Sequence, residues 1–354
     1  MNIKKLNDIC LNITDGTHST VIDDSCGNCY LLSCKNVKDG KINISSSDRI
    51  INSDTLFQLR KRTKMNSGDV ILTTVGTIGE SSIIEQDDPK YEFQRSVAIL
   101  KPNNYLILSK YLHYFLISKI GQNNIRTRIK GAAQPCLFLN DLKEIEIDLP
   151  SLHEQQHIVN TIGSVDDLIE NYRNQIEKFY YLMNLNYKKI QRLGKKTQFS
   201  NIATVESGKR PTKIEQIQNI VSNIPVYGAS GIMGYTSNFI YNKKIQIIGR
   251  VGTHGIVQPI NGKSYPSDNT LIIISNYYSY TFNVLSNANY AELNKGSTQP
   301  LITQTDIKKM TIKIPDIKLL EEFENKYDFD FVFNLERKIL SLKNIKKQLL
   351  NKYF

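Results

Sequence analysis

The sequence predicts an α+β protein in which two globular domains alternate with two long helices, which pair as an antiparallel coiled coil and give the chain pseudo-two-fold symmetry. Three observations support this class: a motif that recurs at a fixed spacing, a strand-and-glycine pattern upstream of it, and a heptad of apolar residues after it. The chain has 354 residues, 40% of them apolar, so it can form more than one core. We expect domains at residues 1–150 and 195–316, with helices at residues 151–194 and 317–354.

The repeated motif organises the chain. Residues 131–150 (GAAQPCLFLNDLKEIEIDLP) align with residues 296–315 (GSTQPLITQTDIKKMTIKIP) at a constant offset of 165. The identical pairs include Gly131 with Gly296, Gln134 with Gln299, Pro135 with Pro300, Asp141 with Asp306, Lys143 with Lys308 and Pro150 with Pro315. Agreement at so many positions indicates two copies of one unit.

A second pair of similar segments lies upstream of the motif. Residues 69–79 (DVILTTVGTIG) parallel residues 244–255 (KIQIIGRVGTHG), with the offset enlarged to 176 by a difference in loop length. Each segment is typical of a strand that leads into a glycine turn. Each copy also opens with a short apolar segment, so the duplication spans nearly the whole chain.

After the first motif, apolar residues recur at the alternating 4-3 spacing of a coiled-coil seam, from Ile158 to Leu193. Asn186 is the polar member of this seam. A buried seam asparagine fixes the register of a helix pair at a cost in stability, and local exposure is the other explanation. So long a helix with an apolar stripe needs a partner.

The second helical stretch has a similar seam from Val332 to Tyr353, interrupted by Lys346. Its earlier part, through Phe323 and Tyr327, is in a different phase, which predicts a stutter near residues 328–330. An antiparallel pair of the two helices would bury both seams. Its two related domains would then match the two-fold symmetry of the duplex DNA backbone.

Charge and composition restrict the class of partner. The net charge of +11 and the pI near 9.2 favour a polyanion, nucleic acid first, because each lysine or arginine near a phosphate releases condensed counterions. An AT-rich coding bias would give the same excess of lysine, so charge leaves both explanations open. No stretch reaches the roughly 18 apolar residues that span a bilayer, and the five cysteines form an odd set. We expect a cytoplasmic protein with reduced thiols and no membrane partner.

Over its whole length the chain resembles the specificity (S) subunit of type I restriction-modification enzymes. The resemblance rests on the repeated G-x-x-Q-P segment, the run PSLHEQQ at residues 150–156 and IPVYGASGIMGY at residues 224–235. The second helix begins with IPDIKLLEEF and lacks the E-Q-Q of the first, which weakens the equivalence of the two helix starts.

This resemblance implies two target-recognition domains that read two short, different sequences separated by a nonspecific spacer. It implies double-stranded DNA as a partner, together with two methyltransferase (M) subunits held by the helices and restriction (R) subunits. The M subunits would methylate adenine, so the chain itself is expected to be non-catalytic.

The sequence offers little catalytic chemistry. It lacks the Asn/Asp-Pro-Pro-Tyr/Phe motif of amino-methyltransferases and a strand-coupled G-x-G-x-x-G. Residues 261–264 (NGKS) have Val257 where a phosphate loop needs glycine, and the glycines of residues 228–234 have the wrong spacing for a cofactor loop. We therefore expect no cofactor. Cys26 and Cys29, with other thiols nearby, leave a zinc site as the alternative to free thiols around a turn.

Candidate DNA contacts lie in the loops before the repeated motif and at the glycine turns, and Arg95, Lys209 and Arg210 are further cationic candidates. Arg250 fits best, because arginine can bind guanine O6 and N7 with two hydrogen bonds. The same positions also suit ordinary surface charges. The full set is Thr77, Arg95, Arg126, Arg128, Lys130, Lys209, Arg210, Arg250, Thr253, His254 and Lys295.

Two other functions remain open. A coiled-coil scaffold with basic domains would bind nucleic acid without sequence preference, and its affinity would not differ between duplexes. An RNA-binding protein is a further alternative, although no aromatic stacking platform stands out.

Overall fold

The computed structural model describes residues 2–251, 255–293 and 301–354. The chain divides into two compact units, and the division falls within both long helices. The first unit comprises Met1–Ile169 with Leu340–Phe354, and the second comprises Glu170–Ile339. Each unit therefore holds one globular region and a part of each helix.

The first unit begins with strands and ends its globular region at the start of the first long helix. Its elements are β1 (Ile3–Lys5), α1 (Leu6–Ile9), β2 (Cys10–Asp15), β3 (Cys29–Leu32), β4 (Val37–Lys38), β5 (Lys41–Ile42), β6 (Arg49–Ile51), α2 (Ser53–Thr63), β7 (Val70–Thr73), β8 (Ser81–Ile83), β9 (Tyr91–Phe93), β10 (Val97–Pro102), α3 (Ser109–Ile117), α4 (Lys119–Arg126), α5 (Leu139–Lys143), β11 (Glu146–Asp148) and the first part of α6 (Leu152–Gln191).

An antiparallel sheet in the order β2-β10-β7-β8 forms the centre of the first unit. Strand β7 is buried along its length, because its side chains alternate between two cores. Val70 and Leu72 pack with the helices α3 and α4, whereas Ile71 packs with Phe93 and Leu32 of the neighbouring sheet β6-β3-β9. This continuous burial explains the unbroken apolar run in the sequence.

The second unit contains the remainder of α6 and the second globular region. Its other elements are β12 (Lys195–Gln198), β13 (Thr204–Ser207), β14 (Ile224–Gly228), β15 (Gly231–Thr236), β16 (Tyr241–Gly249), β17 (Val257–Pro266), β18 (Thr270–Ile274), α7 (Tyr278–Ser286), α8 (Tyr290–Leu293), α9 (Gln304–Lys309), β19 (Thr311–Ile314), α10 (Ile317–Lys326) and the first part of α11 (Asp330–Tyr353).

The topology of the second unit repeats that of the first. Its sheet has the order β13-β18-β16-β17-β14-β15, whose first four strands correspond to β2-β10-β7-β8. The terminal pair β12-β19 corresponds to β1-β11, and both pairs are antiparallel. The predicted α+β class with two alternating long helices is confirmed. No helix within the described ranges has the length and apolarity required to cross a membrane.

The start of α6 shows why the run at residues 150–156 has its sequence. Ser151 and Glu154 form a reciprocal cap, in which the Ser151 amide donates to Glu154 Oε2 (2.9 Å) and the Glu154 amide donates to Ser151 Oγ (3.3 Å). Gln155 is completely buried. Its amide accepts from Leu108 N (2.9 Å) at the start of α3 and donates to the carbonyls of Leu106 (2.9 Å) and Pro150 (3.0 Å). This side chain attaches the long helix to its domain.

The second copy makes the same attachment with different residues. Asp316 caps α10 by accepting from Leu319 N (3.0 Å). Leu320, at the position of Gln155, is buried in the core instead of hydrogen bonding. One turn later, Glu324 accepts from the amides of Ser279 (3.0 Å) and Tyr280 (2.8 Å) at the start of α7. This pairing accounts for the divergence between the two helix starts.

Glu324 should make the stability of the second unit depend on pH. Burial raises the pKa of its carboxyl from 4.5 to about 7, although two backbone amides partly oppose that shift. The folded state therefore binds this proton more tightly, so the free energy of unfolding should fall as pH rises from about 4.5 to about 7. Glu324→Gln should flatten thermal unfolding temperatures over that range. The exposed Glu321→Gln should retain the slope, and parallel curves for wild type and Glu324→Gln would contradict the assignment.

Helices α6 and α11 run in opposite directions, as predicted. In the first unit His157 contacts Tyr353 (ring centroids 6.3 Å apart). In the second, Phe179 stacks on Phe331 (5.5 Å). Asp166 also pairs with Lys346 in the first unit, and Lys338 lies over the Tyr172 ring in the second, so within each unit residue numbers rise along one helix as they fall along the other.

The structure differs from the predicted helix seams in two details. The expected stutter is a complete break, because α10 ends at Lys326 and α11 begins at Asp330. Helix α6 ends at Gln191, so Leu193 lies beyond it and is exposed.

Asn186, the polar member of the first seam, has a specific partner at the break, since its amide donates to Tyr327 Oη (3.0 Å). This bond favours the register explanation for the seam asparagine.

Lys346, which interrupts the second seam, forms part of a polar contact within the first unit. Its Nζ lies 2.7 Å from Asp166 Oδ1 and 5.3 Å from the centroid of the Tyr114 ring. Tyr114 Oη donates to Asp166 Oδ2 (2.9 Å). Because the three groups are partly buried, Lys346→Ala should lower the free energy of unfolding by about 1–2 kcal/mol. Chemical denaturation would measure the loss. The exposed Lys347→Ala should change it by less than about 0.5 kcal/mol, and equal effects would refute a specific pair.

Candidate nucleic-acid interface

Backbone hydrogen bonds tie the loops at one end of the first unit's central sheet into a compact arrangement, which we call the turn frame. These bonds run from Gly16 N to Val97 O (3.1 Å), Thr17 N to Phe93 O (2.8 Å), Thr74 N to Ser96 O (2.9 Å) and Leu137 N to Thr74 O (2.9 Å). The frame joins the loop after β2, the turn before β10, the end of β7 and the segment after the first repeated Q-P.

The second unit has the same turn frame. The equivalent bonds run from Gly208 N to Thr270 O (3.1 Å), Lys209 N to Pro266 O (3.1 Å), Arg250 N to Asn269 O (3.0 Å) and Ile302 N to Arg250 O (2.9 Å). Thr74 pairs with Arg250 at the offset of 176, and Leu137 pairs with Ile302 at the offset of 165. Both sequence repeats therefore converge on one structural feature.

Close packing of backbone requires glycine at the first position of each frame. A Cβ atom on Gly16 would lie 2.0 Å from Phe93 O, and one on Gly208 would lie 2.0 Å from Ser267 O. Both neighbours are backbone atoms and have little freedom to move away. The glycines are thus a shared structural requirement of the two copies.

Side chains on the two frames differ, although the backbone repeats. At two positions of the frame, a threonine in the first unit corresponds to a long cationic side chain in the second. Thr17 aligns with Lys209, and Thr74 aligns with Arg250. The remaining pairs on the frame are His18 with Arg210, Arg95 with Asp268 and Ser96 with Asn269. The same scaffold therefore presents different hydrogen-bonding groups in the two units.

The structure brings two of the predicted residues of the first unit together at its frame. Arg95 lies on the frame, where its amide donates to Thr17 O (3.0 Å), and its side chain is exposed. Thr77 is exposed in the adjoining glycine turn and its Oγ1 lies 3.4 Å from Cys34 O. The amide of Cys34 in turn donates to Ser96 Oγ (3.1 Å).

The basic segment before the first motif is more strongly tied to the protein than the sequence indicated. Arg128 donates to Glu144 O (3.2 Å), and Lys130 pairs with Asp141 Oδ1 (2.6 Å). Arg126 is exposed at the end of α4, with its Nε 3.3 Å from Gln122 O. Arg126 consequently has the most freedom of the three to meet a phosphate.

In the second unit, Lys209 and Arg210 are exposed directly after the frame glycine. Arg250 is partly exposed, and its buried Nε has no hydrogen-bond partner among the residues that the structure describes. The backbone of each of these residues contacts β17 or the turn that follows it. Thr253, His254 and Lys295 lie outside the described residues.

A hairpin adds an apolar wall to the second frame. Strands β14 and β15 form it, so the glycines of residues 228–234 belong to a hairpin. Its tip, with Val251 and Asn269, lines a cavity of about 470 Å³, in which Ile232 and Met233 are substantially exposed. Residues 261–264 lie within β17 in extended conformation, which differs from a phosphate-binding loop.

The described ranges contain no cluster of three or more Cys, His, Asp or Glu side chains that could hold a metal ion. Cys26 is exposed, whereas Cys29 is buried with its Sγ 3.9 Å from Ser53 Oγ. One histidine, His113, has a structural role in the core of the first unit. His113 is buried against Ser81 Oγ (3.1 Å), and burial lowers its pKa to about 4.

Sequence reasoning missed a cationic side chain beside the first frame. Arg62, at the end of α2, pairs with Asp15, which immediately precedes Gly16. The two residues are 47 positions apart, and neither repeat contains them both. Only the folded chain shows that they are neighbours.

Comparison with known proteins gives a consistent result. Residues 20–178 and 179–351 each match the type I restriction modification DNA specificity domain. The type I restriction enzyme EcoBI specificity subunit of Escherichia coli is 30% identical over 156 residues, covering 44% of this chain but only 31% of that protein. The MjaIX specificity subunit of Methanocaldococcus jannaschii is 24% identical over an alignment that covers 99% of this chain and 92% of that protein.

A solved structure shares the fold. The crystal structure of the type I restriction-modification system S subunit from M. genitalium superposes with a TM-score of 0.59 at 16% identity, covering 100% of this chain and 96% of that one. At this level of identity the similarity shows the fold alone.

Proposed function

The chain belongs to the type I restriction-modification DNA specificity family, and on that premise we propose that it recognises an asymmetric, bipartite sequence in duplex DNA. Each unit reads one half of the target through its turn frame. The chain itself is non-catalytic. Two M subunits methylate adenine at the recognised site, and R subunits add restriction.

One observation carries this proposal: the same four backbone bonds recur in both units, yet the side chains on them differ. A repeated backbone positions two readers in the same way. Unlike side chains at equivalent positions, such as Thr17 and Lys209, read unlike base edges. An asymmetric target follows, whereas identical frames would favour a palindrome.

Charge and surface composition agree with the partners. The excess of lysine and arginine, with a net charge of +11, suits attraction to phosphate. Helix α6 leaves Leu182 and Leu185 exposed in the second unit, and apolar side chains on a helix surface suit contact with another protein. The M subunits are the partners we assign to such helix surfaces.

Modified-base sequencing tests the proposal directly. Cells that express this chain with the M subunit of its own system should carry methylated adenine in one motif, composed of two unlike parts separated by unspecified bases. Omission of this chain should abolish that pattern. Methylation by the purified chain alone, or methylation without a bipartite motif, would refute the proposal.

Competition binding separates the other candidate functions. The complex of this chain with its M subunit should prefer the motif duplex over a scrambled duplex by about 10³-fold or more at physiological salt. Equal affinity for both duplexes would favour the nonspecific scaffold. Stronger competition by RNA than by the motif duplex would favour an RNA-binding function.

A further inference from the structure

A nearly buried carboxylate beside the first turn frame holds two exposed side chains, an arginine and a histidine. Asp15 is the last residue of β2 and its side chain is only 11% exposed. Its Oδ2 lies 2.7 Å from His18 Nε2, and its Oδ1 accepts from Arg62 Nη2. The side chains of His18 and Arg62 are about half exposed, at 50% and 47%. One nearly buried carboxylate therefore holds two exposed donors.

The end of α2 is rigidly anchored, which fixes where Arg62 projects. Thr63 Oγ1 donates to the fully buried Glu92 (2.6 Å) on β9. Arg60 also pairs with Glu92 (3.4 Å) and donates to the carbonyls of Pro89 (2.6 Å) and Tyr91 (2.7 Å). Glu92 directly precedes Phe93 of the turn frame, so the helix end and the frame form one rigid element.

Arg60 and Arg62, both on α2, differ in how many of their guanidinium N–H donors are engaged within the protein. Arg60 uses its guanidinium for several internal bonds and is a structural residue. Among the residues that the structure describes, the Arg62 side chain donates one hydrogen bond, to Asp15. An arginine has five N–H donors in a planar fork, so the Arg62 fork retains donors that face solvent.

We propose that Arg62 is the base-reading arginine of the first unit and binds a guanine through O6 and N7 in the major groove. Asp15 is its positioning residue, and the same carboxylate holds His18 beside it. Fixing the guanidinium before binding reduces the side-chain entropy lost on contact. This inference rests on the proposed function and adds the base that the first unit requires.

The second unit provides a natural contrast. Its counterparts of Asp15 and His18 are Ser207 and Arg210, and Ser207 Oγ accepts from Gln304 Nε2 (2.7 Å). The carboxylate buttress is thus specific to the first unit. Guanine recognition through Arg62 should accordingly affect one half of the target and leave the other unchanged.

The test uses the full chain in complex with its M subunit. Modified-base sequencing of cells with Arg62→Ala should show relaxation at a single G·C position in one half of the motif, with discrimination there reduced about 5- to 150-fold. Asp15→Asn should relax the same position to a smaller extent. Lys61→Ala, which alters the adjacent exposed cation, should leave the motif unchanged.

Base analogues identify the contacted atom. A motif duplex with 7-deazaguanine at that position lacks the N7 acceptor and should bind the wild-type complex more weakly, whereas the Arg62→Ala complex should not distinguish it from guanine. Arg62→Lys retains the charge beside Asp15 but loses the planar fork, so it should retain most affinity and lose most base preference. This variant decides the question even if Arg62→Ala is poorly folded.

The outcomes distinguish the inference from the proposed function. A wild-type complex without any bipartite motif refutes the proposed function. A normal wild-type motif that Arg62→Ala and Arg62→Lys leave unchanged, or relax only at an A·T pair, overturns the assignment of Arg62. Relaxation throughout one half by Asp15→Asn would show that Asp15 maintains the whole fold of the domain instead of positioning one side chain.

Discussion

Gly16→Ala is expected to eliminate recognition of one half of the target. The added Cβ would lie 2.0 Å from Phe93 O and 2.5 Å from Gln94 O, so the loop and the turn before β10 would have to separate. Both are backbone groups already engaged in the turn frame, and the overlap should cost about 3 kcal/mol or more of stability. Modified-base sequencing should show that the corresponding half of the motif is no longer required or that methylation is lost.

Gly163→Ala is the matched control for this change. It places the same methyl group in the same unit, but within α6, where the nearest atom is Tyr114 Oη at 3.7 Å. Because glycine is a poor helix former, this variant should be unaffected or stabilised by about 0.5–1 kcal/mol. If Gly16→Ala retains the full motif and stability, the turn frame does not position the reading side chains.

Gln155→Ala is expected to destabilise the attachment of the long helix to the first domain by about 2–4 kcal/mol. Truncation removes three hydrogen bonds, leaving Leu108 N and two carbonyls without their partner, and it also creates a cavity at a completely buried site. Chemical denaturation of the full chain, followed by circular dichroism, would measure the loss. Gln155→Leu should also destabilise, because the polar groups around this site remain.

Two comparisons make the result specific. Gln156→Ala changes the adjacent exposed glutamine, whose recorded bond is to Asn160 on the same helix, and should alter stability by less than about 0.5 kcal/mol. Leu320→Ala removes the equivalent apolar side chain in the second unit and should cost about 2–5 kcal/mol through its cavity. Equal, negligible effects of Gln155→Ala and Gln156→Ala would refute the attachment role.

Some features of the fold follow directly from local sequence patterns. The seam from Ile158 onward predicts α6, because a helix places residues three and four apart on one face. The apolar run before each glycine turn predicts β7 and β16. Local patterns are less informative about where helices end. The phase change near residue 328 predicts a stutter, whereas the structure has a break between two helices, with a hydrogen bond from Asn186 to Tyr327 beside it.

The sequence predicts only some of the residues of the candidate site. The sequence suggests Thr77 by its place in a glycine turn and Arg95 by its charge, and the structure places both at the first frame. Arg128 and Lys130 are suggested by their charge and by their place before the repeated motif, but neither property shows that they already have internal partners. No local pattern relates Arg62 to Asp15, because the four strands β3 to β6 and most of α2 lie between them in the chain.

By itself, the sequence determined the duplication, the class of fold and the family, because these depend on local periodicity and on motifs that repeat at fixed offsets. Only the tertiary structure decided that the turn before β10 corresponds to the turn before β18, since backbone hydrogen bonds equate Phe93 with Pro266 and Ser96 with Asn269. It also decided which cations remain available, because ion pairs such as that of Asp15 with Arg62 form between distant segments. Recognition depends on these long-range contacts, whose geometry no local pattern encodes.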